Sequence, residues 1–216
     1  MFTPTSDSMP ISDRSLPRRL GRAGATFALF LFVMPLLASC GINAIPTYEQ
    51  QAKAAWAEVL NQYQRRTDLI PNLVVTVKGA ANFESKTLEA VVEARAKVGQ
   101  VQLPPDILTN PQAMQVFEQN QAALTSALSR LLVVSEQSPE LKANANFQTL
   151  QAQLEGTENR VAVARRDYIA AVQAYNTELT TFPGRFWAGL LYSGAKEMAQ
   201  FTIDDKAATV PAVNFN

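Results

Sequence analysis

The chain has 216 residues but no histidine and only one cysteine, and each of these scarcities excludes particular kinds of catalytic and metal-binding site. Without histidine, Ser-His-Asp and Cys-His catalysis, imidazole metal ligands and a histidine pH switch are excluded. One cysteine cannot form a disulfide within the chain, a thiolate zinc site or an iron–sulfur cluster. Lys plus Arg equals Asp plus Glu at 19 each, whereas a nucleic-acid binder normally has a basic surplus. Composition therefore favours a structural or binding protein over an enzyme, with no cofactor, metal or nucleic-acid partner.

The N-terminal segment has the pattern of an export signal. An uncharged apolar run, residues 25–38, follows four arginines. At about 1.5 Å per residue this run reaches roughly 21 Å as a helix, which is short of the ~30 Å hydrocarbon core of a bilayer. Residues 1–39 are therefore predicted to be a secretory signal peptide that is removed. Twin-arginine export is an alternative, although the residues after the arginine pair fit that signal poorly. The four arginines are Arg14, Arg18, Arg19 and Arg22.

The last residues of this segment predict how the protein is anchored. Leu37-Ala38-Ser39-Cys40 resembles the lipobox of bacterial lipoproteins, in which the peptide is cut before the cysteine and the cysteine sulfur is diacylated. Cleavage would fall between Ser39 and Cys40, and two or three acyl chains anchor a protein stably where one is marginal. The alternative is an incidental cysteine at the end of a signal anchor. Gly41 replaces the Asp that retains some lipoproteins in the inner membrane, which favours the outer membrane, with the folded domain on the exported, periplasmic side.

Removal of the signal peptide leaves a nearly neutral protein. Residues 1–39 hold four of the 19 basic and two of the 19 acidic side chains, so the mature chain carries a formal charge of −2. Such a balance gives no reason to expect attraction to anionic lipid or DNA. The acyl group is therefore the predicted link to the membrane.

The mature chain begins with the pattern of a long helix. Residues 40–46 are predicted to be a lipidated tether, and Thr47 with Gln50 forms a capping-box pattern at the helix start. Apolar positions then alternate in steps of four and three, which indicates a heptad seam. Pro71 predicts a kink within a continuous helix, and Gly99 is predicted to end it. The seam positions are Trp56, Leu60, Tyr63, Thr67, Ile70, Val74, Val77, Ala81, Leu88 and Val91.

Caps and prolines divide the rest of the chain. Asn110-Pro111 predicts a helix that lasts to about Glu136, and Ser138-Pro139 predicts the start of a third helix that Phe182-Pro183-Gly184 ends. A last short helix is predicted from Arg185 to about residue 203, followed by a loose tail over 204–216. The fold class is therefore all-α, an elongated antiparallel bundle of three or four helices over residues 47–203.

The repeat of the third helix is the most regular in the chain, with Leu179 one place off phase. Its positions are Phe147, Leu150, Leu154, Thr157, Val161, Ala164, Tyr168, Ala171 and Tyr175.

A nine-residue motif carries a family resemblance. Residues 65–73, RRTDLIPNL, resemble the RRxDLIPNL signature of the LemA family, and shorter matches follow in order to about residue 201. The resemblance implies a bacterial membrane-anchored helical bundle in the cell envelope without established enzymatic activity. It also suggests a TPM-domain membrane protein as a partner, because the two kinds of gene often lie side by side. This chain departs from the pattern in its lipobox, since most relatives have an N-terminal transmembrane helix, and in Asp167-Tyr168-Ile169, where relatives often have Tyr-Asn.

Charged residues in the heptad phase predict a polar layer. Extending the first seam past Ala81 puts Glu84 and Arg95 in phase with its apolar positions, and a buried charge is costly unless it is paired. The two lie about three turns apart and cannot pair with each other. We expect partners on other helices and a layer that fixes the helix register, as single polar core positions do in coiled coils. A functional Glu/Arg site or a solvated face are the alternatives. The candidate partners are Glu136, Glu158, Arg165 and Arg166.

Two further clusters have both a structural and a functional interpretation. In the kink motif, Asn72 or Thr67 could hydrogen-bond to backbone carbonyls freed by the proline, or the kink could form a notch for a partner. The aromatic residues Phe186, Trp187 and Tyr192 could cap the core or dock on a membrane or protein, although basic residues typical of interfacial helices are lacking. The kink motif comprises Arg65, Arg66, Asp68, Pro71 and Asn72.

Two classes of function follow. The first is a non-enzymatic envelope lipoprotein that acts as a helical scaffold or partner-docking module, including self-association through a leftover apolar stripe. The second is a carboxylate-dependent cell-wall hydrolase or a ligand-binding envelope protein. A hydrolase would need a cleft with two carboxylates about 5–10 Å apart, which a slim bundle offers poorly.

Overall fold

The computed structural model describes residues 41–80 and 84–201. The helices of these two ranges belong to the unit Asn43–Asn216. The predicted signal peptide, Cys40 and the predicted tail over 204–216 lie outside the described residues.

The described chain is all-α, as predicted, and contains no strand in these ranges. Helix α1 packs along α5, and α2 packs mainly against α3. The elements are α1 (Ala44–Lys78), α2 (Ser85–Gln100), a 3₁₀ turn (Ile107–Thr109), α3 (Pro111–Ser135), α4 (Pro139–Ala143), α5 (Ala145–Thr180) and α6 (Gly184–Leu191).

Helix α1 begins earlier than the predicted capping box. Its N-cap is Asn43, and the Thr47 hydroxyl donates to the Asn43 carbonyl at 2.7 Å instead of capping a later start. Pro46 is compatible with the first turn because amides there need no helical acceptor. The predicted tether over 40–46 therefore extends too far, because residues 44–46 already belong to α1. Helix α1 is 35 residues long and passes through Pro71 as one continuous helix.

The first helix does not reach Gly99, which corrects the prediction. Helix α1 ends at Lys78, with Gly79 as its C-cap, and α2 starts again at Ser85 with Glu84 as its N-cap. Glycine is the least favourable helix residue after proline, by about 1 kcal/mol relative to alanine. The break was hidden because Val77 and Leu88 are eleven residues apart, a spacing that keeps the heptad phase across the interruption.

The predicted third helix is also two helices. Ser138 caps the five-residue α4, and Asn144 then caps α5, its side-chain oxygen accepting from the amides of Asn146 at 3.0 Å and Phe147 at 3.1 Å. The Asn110 cap is present as predicted, with its side chain accepting from Ala113 N at 3.1 Å. Asparagine side chains therefore set the starts of both α3 and α5.

The segment after α6 is not helical, although a helix was predicted to about residue 203. From residue 192 to residue 201 the chain runs back along the bundle without regular structure. Asn176 holds it in both directions, donating to Met198 O at 2.9 Å and accepting from Met198 N at 2.8 Å. The Tyr168 hydroxyl donates to Ala199 O at 2.8 Å. These side chains and the Leu108 carbonyl satisfy backbone groups that a helix would have paired internally.

The buried side chains form two clusters, and their membership gives the helix directions. The N-terminal halves of α1 and α3 share one cluster with the C-terminal half of α5, so α5 runs antiparallel to both. We call this the proximal cluster because it contains the start of α1, and the other the distal cluster. The proximal cluster includes Ile45, Trp56, Tyr63, Phe117, Tyr168, Leu179 and Phe201; the distal cluster includes Ile70, Leu73, Val77, Leu88, Leu124, Leu131, Phe147 and Leu154.

Candidate functional site

The signature arginine Arg66 lies in the core of the bundle. Along α1, Ala52, Val59, Arg66 and Leu73 are spaced by seven residues and all are buried. Arg66 is only 1% exposed. The predicted seam instead used Leu60, Thr67 and Val74, one position later, and these side chains are only half-buried. The true heptad phase therefore puts an arginine where an apolar residue is usual.

The Arg66 guanidinium joins three helices. Its Nη1 donates to Glu158 Oε2 on α5 at 2.8 Å and to Thr125 Oγ1 on α3 at 2.7 Å. Its Nη2 donates to Gln121 Oε1 on α3 at 2.8 Å. Gln121 and Thr157 are themselves buried at heptad positions of α3 and α5. We call Arg66, Gln121, Thr125, Thr157 and Glu158 the Arg66 layer, and it separates the proximal from the distal cluster.

The charges and hydrogen bonds of the layer stabilise Arg66, while its ion-pair partner Glu158 remains in contact with water. The Glu158 side chain is 50% exposed, so solvent screens the ion pair and reduces its contribution to stability. The Arg66 guanidinium also lies 5.1 Å from the Tyr63 ring centroid, a cation–π arrangement. Burial raises the pKa of Tyr63, although the charges of Arg165 and Arg66 oppose this rise. These contacts hold the guanidinium in place and leave it without access to a large ligand.

Most of the predicted polar-layer residues lie elsewhere. Glu158 is in the layer, but Glu84 is an exposed N-cap whose carboxylate accepts from Thr87 Oγ1 at 3.2 Å. Arg95 and Glu136 are also exposed. Arg166 is exposed and pairs with its neighbour Asp167 at 3.2 Å. The prediction failed for two reasons: Glu84 lies at the break between α1 and α2, outside both helices, and within α2 the buried position is Ala94, one residue before Arg95.

Arg165 lies beside the proximal cluster instead of in the layer. Its guanidinium carbon is 4.5 Å from the Phe201 ring centroid, and its Nη2 is 4.0 Å from Glu118 Oε1. Phe201 in turn packs on Trp56 and Tyr168, with ring centroids at 6.0 and 5.2 Å. Arg165 thus covers the end of the returning segment.

The kink motif has one buried and one exposed side. Arg66 faces the core, whereas Arg65, Asp68, Pro71 and Asn72 are exposed. Gln64 Nε2 donates to Asp68 Oδ1 at 2.7 Å along the helix surface. The backbone carbonyls of Asn72 and Tyr63 accept from the hydroxyls of Thr76 at 2.8 Å and Thr67 at 3.0 Å, respectively. The exposed side is available to a partner, while the buried side joins the helices.

The aromatic residues after α5 divide in the same way. Trp187 and Tyr192 are half-buried and pack on the proximal cluster. Phe186 is 55% exposed and Leu190 is 62% exposed, one turn apart on the opposite side of α6. Leu191 and Phe182 are also exposed, Phe182 at 87%. We call Phe182, Phe186, Leu190 and Leu191 the apolar tip.

One cavity has carboxylates in its lining but does not have the chemistry of a general acid. It measures about 590 Å³ and lies between the end of α1 and α2, with Glu89 and Glu93 among its lining residues. A hydrogen bond from Lys97, together with its charge, lowers the pKa of Glu93. A general acid needs the opposite shift. Within residues 41–80 and 84–201, no group of three or more acidic, cysteine or histidine side chains could hold a metal ion.

Comparison with known proteins agrees with the motif. The model of the LemA family matches residues 55–215, and the chain belongs to this family. It is therefore a membrane-associated helical protein in class. Over the described ranges, no helix combines the length and the apolar character needed to cross a bilayer.

The chain is also similar to magnetosome proteins of two bacteria. Magnetosome protein MamQ 2 of Paramagnetospirillum magneticum is 28% identical over 224 residues, which cover 91% of this chain and 79% of the relative. Magnetosome protein MamQ of Magnetospirillum gryphiswaldense is 25% identical over 209 residues, covering 86% and 75%.

Proposed function

We propose that this protein is a non-enzymatic lipoprotein of the bacterial cell envelope, anchored through Cys40, whose helical bundle acts as a scaffold that docks a partner. The observation that carries the proposal is the burial of Arg66. Its guanidinium hydrogen-bonds to two other helices and is 1% exposed. The buried half of the signature motif thus builds the bundle, and a catalytic role for it is disfavoured.

The partner surface is the exposed half of the same motif. Asp68, Pro71 and Asn72 lie on the outer surface of α1, while Ile70 and Leu73 fill the distal cluster. The motif therefore couples an outward surface to a fixed core, so that the surface is held rigidly. A TPM-domain membrane protein is one proposed partner, and a second copy of this chain is another. The outer membrane is the favoured location, because Gly41 follows the cysteine.

Site-specific crosslinking in the native cells tests this proposal. A photoreactive amino acid at Asn72 is predicted to form an adduct of defined mass with one envelope protein, and the same probe at Val133 serves as the control. Val133 is 60% exposed on α3 and lies outside the motif. The adduct should disappear when Cys40→Ser removes the anchor. Equal adducts from both positions, or an Asn72 adduct that persists without the anchor, would contradict a tethered docking surface.

A further inference from the structure

We propose that Phe182, Phe186, Leu190 and Leu191 insert into the lipid surface to which the chain is anchored. The lipid attachment of the proposed function is a premise of this inference. The insertion would fix the orientation of the bundle, which a flexible acyl tether alone does not do.

The tip is an apolar surface with no covering element among residues 41–80 and 84–201. Phe182, Phe186 and Leu190 follow at intervals of four, so the helical pair Phe186 and Leu190 share one side of α6. The opposite side carries Trp187 and Ala188, which pack on the proximal cluster. Because one side of α6 is fixed to the core, the other side is presented on a rigid support. Clustered exposed Phe and Leu side chains mark an interaction surface, whereas scattered ones do not.

The tip lies at the end of the bundle where the chain enters. Helix α5 runs antiparallel to α1, so its C-terminus and the following α6 are next to the start of α1. Ile45 near that start and Leu179 near the end of α5 share the proximal cluster, and Ile45 and Tyr192 line one groove. Helices α1 and α6 are also in direct contact. The tip and the first turn of α1 are therefore neighbours.

The covalent chain brings this end to the membrane. Only four peptide units separate Cys40 from Ala44, and extended backbone spans at most ~3.6 Å per residue, which gives a reach of roughly 14 Å. The lipidated cysteine therefore attaches to the membrane within a few residues of α1, and the bundle end with the tip must stay close to the bilayer.

The side chains of the apolar tip favour insertion into lipid that carries no net charge. Phe and Leu gain most from burial in the acyl region, and aromatic rings are suited to the membrane interface. The tip is flanked by Arg185, and further along by Lys196 and Glu197, so it has no basic cluster that would need anionic lipid. We therefore expect insertion into bilayers regardless of headgroup charge.

Insertion would also set the height of the docking surface. Twenty-eight residues of α1 separate Ala44 from Asn72, and at 1.5 Å per residue this is about 42 Å. With α1 along the membrane normal, the exposed half of the kink motif would thus meet its partner roughly 40 Å from the membrane, and a tilted α1 would bring it closer.

Depth-dependent fluorescence quenching of the mature lipoprotein tests the inference. The protein is reconstituted into phosphatidylcholine vesicles that contain nitroxide-labelled lipid, with an NBD probe on a cysteine introduced by Leu190→Cys. The matched control is Val133→Cys, since Val133 is 60% and Leu190 is 62% exposed, but Val133 lies at the distal end of the bundle. Acylation blocks Cys40, which makes the introduced thiol the labelling site. We expect the Leu190 probe to lose most of its fluorescence and the Val133 probe to lose little.

The outcomes separate this inference from its premise. In one outcome, the protein floats with the vesicles while the Leu190 probe is quenched by aqueous iodide and not by the nitroxide lipid. This result would support the lipid anchor and contradict insertion of the tip. If Cys40 carries no lipid and the protein does not float, the proposed function itself fails. Shielding of the Leu190 probe from both quenchers, which grows with protein density, would assign the tip to a second copy and overturn the inference. A probe at Leu191→Cys in a Phe186→Ser, Leu190→Ser background should lose its lipid quenching, while circular dichroism shows an unchanged helix content.

Discussion

Arg66 on α1 and Glu158 on α5 form an ion pair with 2.8 Å between Nη1 and Oε2, and the arginine is buried while the glutamate is half in solvent. The pair lies at the boundary between the two apolar clusters, where Gln121 of α3 also accepts a hydrogen bond from Arg66. A sliding of α1 by one heptad would put Arg66 among apolar side chains, which costs several kcal/mol for an unpaired ion. We therefore expect the layer to fix the helix register more than to increase stability.

Removing the arginine should cost far more than removing its partner. Arg66→Ala leaves a cavity and unpaired polar atoms of Gln121 and Thr125, so we predict a loss of about 3–5 kcal/mol in the free energy of unfolding. Glu158→Ala should cost about 1 kcal/mol, because Glu158 is half-exposed and the other acceptors remain. Arg65→Ala, at the exposed neighbour, is the control, with a change within about 0.5 kcal/mol. Urea unfolding measures all three, and equal effects of Arg66→Ala and Arg65→Ala would refute the layer's role.

Asn176 should control the returning segment 192–201. Asn176→Ala removes both hydrogen bonds to the Met198 backbone, so we predict a loss of about 1–3 kcal/mol and faster proteolysis within this segment. Asn120→Ala is the matched control, because Asn120 is half-buried like Asn176 but its side chain bonds only to the Val116 carbonyl one turn away. Similar cleavage rates in the two variants would show that the segment is held by other contacts.

Two glycines of α6 should respond in opposite directions. A Cβ at Gly184 would collide with the Glu178 carbonyl and side chain, whereas a Cβ at Gly189 would meet nothing within 4 Å. We predict that Gly184→Ala destabilises the junction of α5 and α6 by about 1–3 kcal/mol through overpacking. Gly189→Ala should be neutral or stabilising by up to about 1 kcal/mol, since alanine favours helix. Thermal unfolding of both variants, in parallel with the native chain, tests the close packing that supports the apolar tip.

Stability should fall above pH 10 because of buried tyrosines. Burial raises the pKa of Tyr168 above its ordinary value of 10.0. Below pH 10 both folded and unfolded states keep the phenol proton; above it the unfolded state loses the proton first, and folding is disfavoured by up to about 1.4 kcal/mol per pH unit for this group. Tyr168→Phe should lose about 1 kcal/mol at neutral pH with the hydrogen bond to Ala199 O, and should show a shallower alkaline decline. Identical slopes of stability against pH between pH 10 and 12 would contradict this.

The sequence predicted the helices better than it predicted their ends. The positions Trp56, Tyr63, Ile70 and Val77 were identified as one series of the heptad, and all four are buried. The second series of the heptad was predicted one residue too late, at Leu60 and Val74, because these two residues are apolar and Arg66 is charged. The seven-residue spacing of Ala52, Val59 and Leu73 was the available signal that Arg66 lies between them in the core.

The remaining errors concern interactions that local patterns do not contain. Asn144 was overlooked as a cap because Ser138-Pro139, a few residues earlier, already satisfied the start of a helix. Asn176 lies within the predicted third helix, but its bonds to Met198 join positions 22 residues apart and have no periodic signature. In the same helix, Val172 is buried in place of Ala171, and this single four-residue step brings Leu179 back into phase.

Attachment of the bundle to the membrane by an acylated cysteine is tested most directly at the mature N-terminus. The protein is purified from the membrane fraction of its native cells, and the mass of its N-terminal peptide is measured with and without mild alkaline hydrolysis of ester-linked acyl chains. We predict that residues 1–39 are absent and that the peptide begins at Cys40 with a diacylglyceryl group on sulfur. A membrane-bound protein that keeps residues 25–38 and a free Cys40 thiol would contradict this attachment.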